Sequence, residues 1–267
     1  MRLNISHQTT YHYDAPVPYA LQQLRLTPKS RAGQTVLSWN IQVEGGKVEV
    51  EFEDQNNNQV ALVSIEPGRQ DISFSCTGEV ETTNATGIIG EHGGYAPIWY
   101  FTRPTELTKP GALIRNLVRT LNNADYDSDI SRMHALSGLI SEFVTYETSR
   151  TDSGTTAEAA LEAGHGVCQD HAQIFISAAR RMGYPARYVS GYLMMDDRVE
   201  QDASHAWAEA YLEGIGWVGF DVSNGISPDE RYVRVATGLD YRDAAPVSGM
   251  RFGGAAESLI VSLQVQQ

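Results

Sequence analysis

A glycine turn that runs directly into a helix constrains this chain more than any other stretch. Residues 164–171 read Gly-His-Gly-Val-Cys-Gln-Asp-His, and residues 172–182 space apolar side chains as one buried helix face does. This pattern predicts that Cys168 lies in the first helical turn, where free N–H groups and the helix dipole stabilise a thiolate. Gly166 would let the backbone pass close to whatever lies in front of the sulfur. The same sequence is equally compatible with Cys168 being a small core residue at the start of a helix.

A predicted β-hairpin supplies a second set of reactive side chains. Residues 203–212 alternate as a strand does, and a second strand follows over residues 215–221. Pairing Tyr211 with Ile215 places His205 directly opposite Asp221, with Cβ atoms roughly 4.5–5.5 Å apart. A histidine oriented by an aspartate is half of a nucleophilic triad, and the helix-start cysteine would complete it.

Three blocks that carry these residues, GVCQDHA, SHAWAEAYL and GWVGFDVSNG, resemble the transglutaminase-like superfamily. The similarity is to its bacterial branch, whose members are usually described as cysteine proteases. Residues 2–13 and 24–28 resemble the N-terminal β domain of that branch, and residues 238–249 resemble its closing segment. The resemblance implies Cys168 as the nucleophile, His205 as the base and Asp221 as the orienting acid.

Five more residues are expected to line the site because they are near the triad in sequence or share a strand face with it. They are Gly166, Gln169, His171, Trp207 and Asn224. His171 departs from the family pattern, in which a hydrophobic or aromatic residue is more usual. The Cys168 backbone N–H would bind the oxyanion, while the second donor is not identifiable from the sequence.

A metal site is a competing interpretation of the same segment. His165, Cys168 and His171 have ligand-like spacing, but they supply only three ligands and leave the pairing of His205 with Asp221 unused. A non-catalytic binding module is another, although such a domain would be free to lose the triad. No metal or organic cofactor is expected.

The order of elements predicts an α+β fold with three parts. Residues 1–103 read as short strands at the spacing of a β-sandwich-like domain. Residues 104–250 begin with helices and continue into strands, and the resemblance implies a papain-like or transglutaminase core, with helices packed on an antiparallel sheet. Residues 251–267 form a strand expected to pair with the N-terminal domain. Residues 87–104 are expected to be irregular.

Composition narrows the class of partner. The chain has 33 acidic and 20 basic side chains, for a formal net charge of −13, which argues against nucleic acid and anionic membranes as partners. The absence of a signal-like or membrane-spanning apolar run, and the presence of only two cysteines, make a cytoplasmic protein the expectation. Cys76 is in phase with apolar strand residues and is expected to be buried.

The expected activity is therefore acyl transfer through a thioester, most simply the hydrolysis of peptide or related amide bonds. Transfer of the acyl group to an amine, as a protein-glutamine transamidase does, is the alternative. The sequence leaves the substrate and the oligomeric state open.

Overall fold

The computed structural model describes residues 1–201, 203–252 and 256–267. Six strands come first: β1 (Arg2–Tyr13), β2 (Tyr19–Thr27), β3 (Gln34–Glu44), β4 (Gly46–Glu53), β5 (Gln59–Ile65) and β6 (Asp71–Thr82). The middle of the chain holds β7 (Ile88–Gly90), a 3-10 helix (Ile98–Thr102), α1 (Ala112–Asn122), α2 (Asp129–Phe143), β8 (Thr145–Tyr146), α3 (Ala157–Ala163) and β9 (His165–Gly166). The rest comprises α4 (Cys168–Arg181), β10 (Ala186–Leu193), β11 (Glu200–Gln201), β12 (His205–Leu212), β13 (Gly216–Phe220), β14 (Tyr232–Gly238), α5 (Tyr241–Ala244), β15 (Val247–Phe252) and β16 (Glu257–Gln266).

Two antiparallel sheets form the N-terminal region. One has the strand order β11-β16-β1-β6-β3 and the other β15-β2-β5-β4. Strand β1 alternates buried and exposed residues along nearly its whole length, as expected for a strand with one face in a core. Side chains from β1, β2, β5 and β6 meet in one apolar cluster that includes Phe74 and Cys76. The predicted β-sandwich-like domain and the burial of Cys76 are thus confirmed.

The core half packs helices on a third sheet, with the strand order β14-β10-β12-β13-β7. Helix α4 lies against this sheet, and its Ile174, Phe175 and Ala178 share one cluster with Ala208 and Ala210 of β12. Alternation along β12 turns Glu209 to the opposite face. The α+β prediction, with helices on an antiparallel sheet, is therefore confirmed.

Strands from each side of the boundary expected near residue 103 join a sheet of the other side. Strand β7, in a stretch expected to be irregular, pairs with β13 at the edge of the core sheet. Strand β15 pairs with β2, and β16 pairs with β1 from Asn4 to Tyr13. Residues 253–255 of the closing segment lie outside the described residues. Within residues 1–201, 203–252 and 256–267, no helix has the length and apolar character needed to cross a membrane.

Candidate active site

Cys168 is the first residue of α4, in the helical turn where the sequence predicted it, and is half-buried. Asp170 stabilises the helix start, because its Oδ2 accepts hydrogen bonds from the Val167 N–H at 2.8 Å and the Thr151 hydroxyl at 2.7 Å. A Cβ at Gly166 would lie 2.7 Å from that same oxygen, so this turn requires a glycine there. Cys168 is therefore held where a helix leaves N–H groups without intrahelical acceptors.

His205 opens β12 and is buried. Its Nε2 lies 2.6 Å from Asp221 Oδ2, which leaves Nδ1 as the ring nitrogen available to Cys168. Burial alone would lower the pKa of His205, but hydrogen bonds to Asp221 and Cys168, together with their charges, outweigh it and raise the pKa to about 10. The imidazolium is thus favoured at neutral pH, beside the Cys168 sulfur.

Asp221 follows β13 and is completely buried. Besides His205, its Oδ2 accepts the Asn224 side-chain amide and the Tyr232 hydroxyl, each at 2.7 Å. Burial raises the pKa of Asp221, but the donated hydrogen bonds and the charge of His205 bring it below its usual value. The carboxylate therefore stays ionised, which an isolated buried carboxyl would not do.

The register of the hairpin differs from the predicted one by two residues. Tyr211 pairs with Trp217, and Leu212 pairs with Gly216, because the three-residue turn covers residues 213–215 and not 212–214. Gly216 has a φ of +94°, a conformation that favours glycine. A shift of two residues keeps every side chain on its predicted face, since the strand period is two. His205 consequently still reaches Asp221, although the two are not directly opposed.

His171 lies on α4 and is buried. Its Nε2 is 3.0 Å from the Val144 carbonyl and its Nδ1 is 2.9 Å from the Ser223 hydroxyl. The carbonyl can only accept, so Nε2 carries the proton and Nδ1 accepts from Ser223. Burial lowers the pKa of His171, in keeping with this neutral form.

The other residues considered as ligands or site walls are placed as follows. His165 is half-buried on β9. Trp207 is buried between the His205 ring, 6.2 Å away, and the Tyr232 ring, 5.4 Å away, as measured between ring centroids. Across the described residues, no group of three or more His, Cys, Asp and Glu side chains is arranged to hold a metal ion.

Two cavities meet at His205. One, of about 350 Å³, contains Cys168 and Gln169, and the other, of about 700 Å³, contains Asn224 and Tyr232. Tyr146, Thr148, Met195 and Arg198 line both, so the cavities form one cleft with the imidazole at its centre. A chain laid along this cleft would pass the triad with room on both sides.

Two tyrosines of the site, Tyr188 and Tyr232, were not predicted from the sequence. Tyr232 begins β14, whose pairing with β10 brings it beside Asp221. Tyr188, in the middle of β10, lines the cavity of Cys168 and interacts electrostatically with that residue. Neither position has a local signal, because each depends on the strand order of the core sheet.

Two families match separate parts of the chain. Residues 115–222 match the transglutaminase-like superfamily, and residues 3–81 match the bacterial transglutaminase-like N-terminal region. The first match spans Cys168, His205 and Asp221. The chain thus combines a transglutaminase-like core with a bacterial transglutaminase-like N-terminal region.

Similar proteins extend over nearly the whole chain. An uncharacterized protein of Mycobacterium leprae is 28% identical over 281 residues, covering 99% of this chain and 98% of that protein. An uncharacterized protein of Mycobacterium tuberculosis is 26% identical over 291 residues, covering 99% of this chain and 92% of that protein. A crystal structure of a candidate cysteine protease from Cytophaga hutchinsonii has a TM-score of 0.79 at 23% identity, covering 100% of this chain and 91% of that one, which shows that the fold is shared.

Proposed function

We propose that this member of the transglutaminase-like superfamily is a cysteine-nucleophile acyl-transfer enzyme that hydrolyses amide bonds. One observation carries the proposal: the His205 imidazole, 2.6 Å from Asp221, also interacts with Cys168 at the start of α4. A thiolate at a helix start, paired with an imidazolium that a carboxylate orients, is an activated nucleophile.

The reaction proceeds in two halves. The Cys168 thiolate attacks the amide carbonyl carbon and forms a C–S bond, and the carbonyl oxygen becomes an oxyanion. His205 gives its Nδ1 proton to the leaving nitrogen as the C–N bond breaks, which releases the amine and leaves a thioester. His205 then takes a proton from water, the resulting hydroxide attacks the thioester, and the acid departs as the thiolate and imidazolium are restored. Asp221 holds the ring throughout.

Two donors would hold the oxyanion. The first is the Cys168 backbone N–H, which α4 leaves without an intrahelical acceptor. For the second we assign the Tyr188 hydroxyl, which lines the same cavity and makes no hydrogen bond with the described residues. Burial, together with the negative charges of Cys168 and other neighbouring groups, raises the pKa of Tyr188 well above its usual value, so the hydroxyl keeps its proton for donation.

The proposed substrate is a peptide or protein amide. The cleft extends on both sides of His205, as a site for a chain that continues beyond the scissile bond requires. Apolar side chains such as Leu193, Met194 and Ile226 occupy the larger side, whereas Gln169 and Ser204 lie on the side of Cys168.

A screen of peptide and amide substrates with the wild type, Cys168→Ala and Cys76→Ala tests the proposal. We expect turnover by the wild type and by Cys76→Ala, and none by Cys168→Ala. Turnover by Cys168→Ala would refute the assignment of Cys168 as the nucleophile.

Hydrolysis and amine transfer are separated by offering an accepted substrate together with excess primary amine. Trp207 is buried behind His205, and no tryptophan is among the described residues that line the cavity of Cys168. Tyr146, Tyr188 and Tyr241 line this cavity, but it opens beside His205 into the larger cavity, which gives water a route to the thioester. We expect mostly free acid. Mostly amine adduct at millimolar amine would make the enzyme a transamidase.

A further inference from the structure

A separate cavity, of about 370 Å³, lies between the N-terminal sheets and the core sheet, and no residue of the catalytic triad lines it. Its wall on the N-terminal side includes Lys29, Arg31 and Asn57, and its wall on the core side includes Arg187 and Arg234. Four cationic side chains thus meet in one cavity of a protein whose formal net charge is −13.

The buried charges around this cavity do not balance. Glu209 is fully buried and binds Arg187 Nε through Oε2 at 2.5 Å and Arg234 Nε through Oε1 at 2.7 Å. One carboxylate thus serves two guanidinium groups. Lys29 Nζ forms an ion pair with Glu53 Oε1 at 2.6 Å. Glu91 also lines the cavity, but it is exposed to solvent.

Arg31 adds a third guanidinium for which the described residues provide no partner. Its Nε is buried without a hydrogen-bond acceptor, and its side chain makes no ion pair with the described residues. Burial, followed by repulsion from Arg234, lowers the pKa of Arg31 to about 9, although the charge of Glu209 opposes this. Leaving a buried donor of a cationic group without a partner is costly, so an arrangement of this kind favours an added anion.

The guanidinium groups are held in position before any ligand arrives. Arg187 lies over the Trp217 ring, with 3.8 Å from its Cζ to the ring centroid, and its Nε is fixed on Glu209. Arg234 is fixed by the same carboxylate, and its backbone N–H donates to Gln34 Oε1 at 2.8 Å. A planar guanidinium group that is already held in place can donate two parallel hydrogen bonds to the oxygens of a carboxylate or phosphate group.

We propose that this cavity is a binding site for a small oxyanion, a carboxylate or phosphate group, held by Arg31 with Arg187 and Arg234. The ligand supplies the negative charge that Glu209 alone does not. Because Glu209 belongs to β12, which His205 opens, an occupied site stiffens the strand that carries the catalytic base. The site does not depend on the proposed reaction, since binding is measured without turnover.

The test is a titration of the full-length protein with inorganic phosphate and, separately, with acetate and succinate, at ionic strength held constant with chloride. Calorimetry gives the affinity, and the thermal midpoint reports stabilisation of the folded state. The variant is Arg31→Gln, because this side chain makes no hydrogen bond or ion pair with the described residues and its loss leaves Glu209 paired. Arg119→Gln, on the exposed face of α1, is the matched control.

We expect saturable binding by the wild type and by Arg119→Gln, with affinity reduced about tenfold or more in Arg31→Gln, since hydrogen bonds between charged groups are the strong ones. Preference for phosphate or for the carboxylates identifies the ligand chemistry, and either supports the site. Absence of saturable binding by all three anions, or equal affinity in Arg31→Gln, would overturn the proposal.

Discussion

Three side-chain donors converge on Asp221 although it is completely buried. Asp221→Asn removes the charge that holds His205 as an imidazolium, and we expect a folded protein with a large rate defect. In a serine triad this change costs ~10⁴ in rate, and the loss here should be smaller because a thiol is the better nucleophile. The measurement is kcat/KM for any accepted amide.

Asp229→Asn is the matched control for that variant. Asp229 lies in the same segment but pairs with Arg231 at 2.7 Å and is not in contact with the imidazole. We expect near-wild-type activity from it. Equal losses in Asp229→Asn and Asp221→Asn would contradict the orienting role of Asp221.

The pH dependence of the rate follows from His205. Its pKa is raised to about 10 by hydrogen bonds to Asp221 and Cys168, against the effect of burial. A raised pKa keeps the imidazolium through neutral pH, and this general acid is lost only as the pH rises through about 10. We expect kcat/KM to fall on the alkaline side near that value. A fall centred near the ordinary histidine value of about 6.5 would contradict the assignment.

Tyr188 offers a test of the second oxyanion donor. Tyr188→Phe removes only the hydroxyl, and loss of one such donor typically lowers kcat by ~10²–10³. We expect that loss with little change in KM. Tyr241→Phe is the control, because Tyr241 lines the same cavity and its pKa is raised by burial alone. A Tyr188→Phe enzyme with the wild-type kcat would show that another group binds the oxyanion.

At the scale of single elements, Gly191 allows β10 to lie close to both of its neighbours, β12 and β14. It pairs with His205, and a Cβ there would lie 2.1 Å from the Val233 carbonyl and 2.8 Å from the Trp207 ring. We expect Gly191→Ala to lower the free energy of unfolding by ~1–3 kcal/mol, the usual cost of overpacking. Urea denaturation provides the measurement.

Gly138→Ala is the matched control for that substitution. Gly138 lies exposed on α2, and an added Cβ would meet nothing within 4 Å. Alanine there should raise stability by ~0.5–1 kcal/mol, since glycine is a poor helix residue. If both variants changed stability by the same amount in the same direction, the close approach at Gly191 would not be important.

Local patterns predicted the helix start at Cys168 and the strand of His205, because both are fixed by nearby residues. The predicted hairpin register was wrong by two residues, since the turn covers residues 213–215, one residue later than expected, and is followed by Gly216 with positive φ. Because side chains alternate with a period of two along a strand, the predicted face of His205 was still correct. Tyr188 and Tyr232 could not be predicted, because only the β14-β10-β12 order brings them to the triad.

For the whole molecule, the sequence predicted a β-rich half, a half that begins with helices, and a final strand that pairs with the first half, but not the other pairings between them. Strands β15 and β16 return to the N-terminal sheets, while β7 extends the core sheet. One apolar cluster joins Leu3, Ile5 and Leu263 with Tyr192 and Val233 of the core. Pairings between residues this distant in sequence leave no local periodicity. The buried charges around Glu209 lie at the same junction and were likewise not predicted.

The proposed mechanism requires Cys168 to be the single activated thiol of the folded protein. Cys76 provides an internal comparison, because it is 1% exposed and burial raises its pKa to about 12. The most direct measurement is the rate of iodoacetamide labelling of each cysteine at neutral pH, followed by mass spectrometry, in the wild type and in His205→Ala. We expect Cys168 to react far faster than Cys76, and to slow when the imidazole is removed. Equal labelling, or faster labelling of Cys76, would contradict the account.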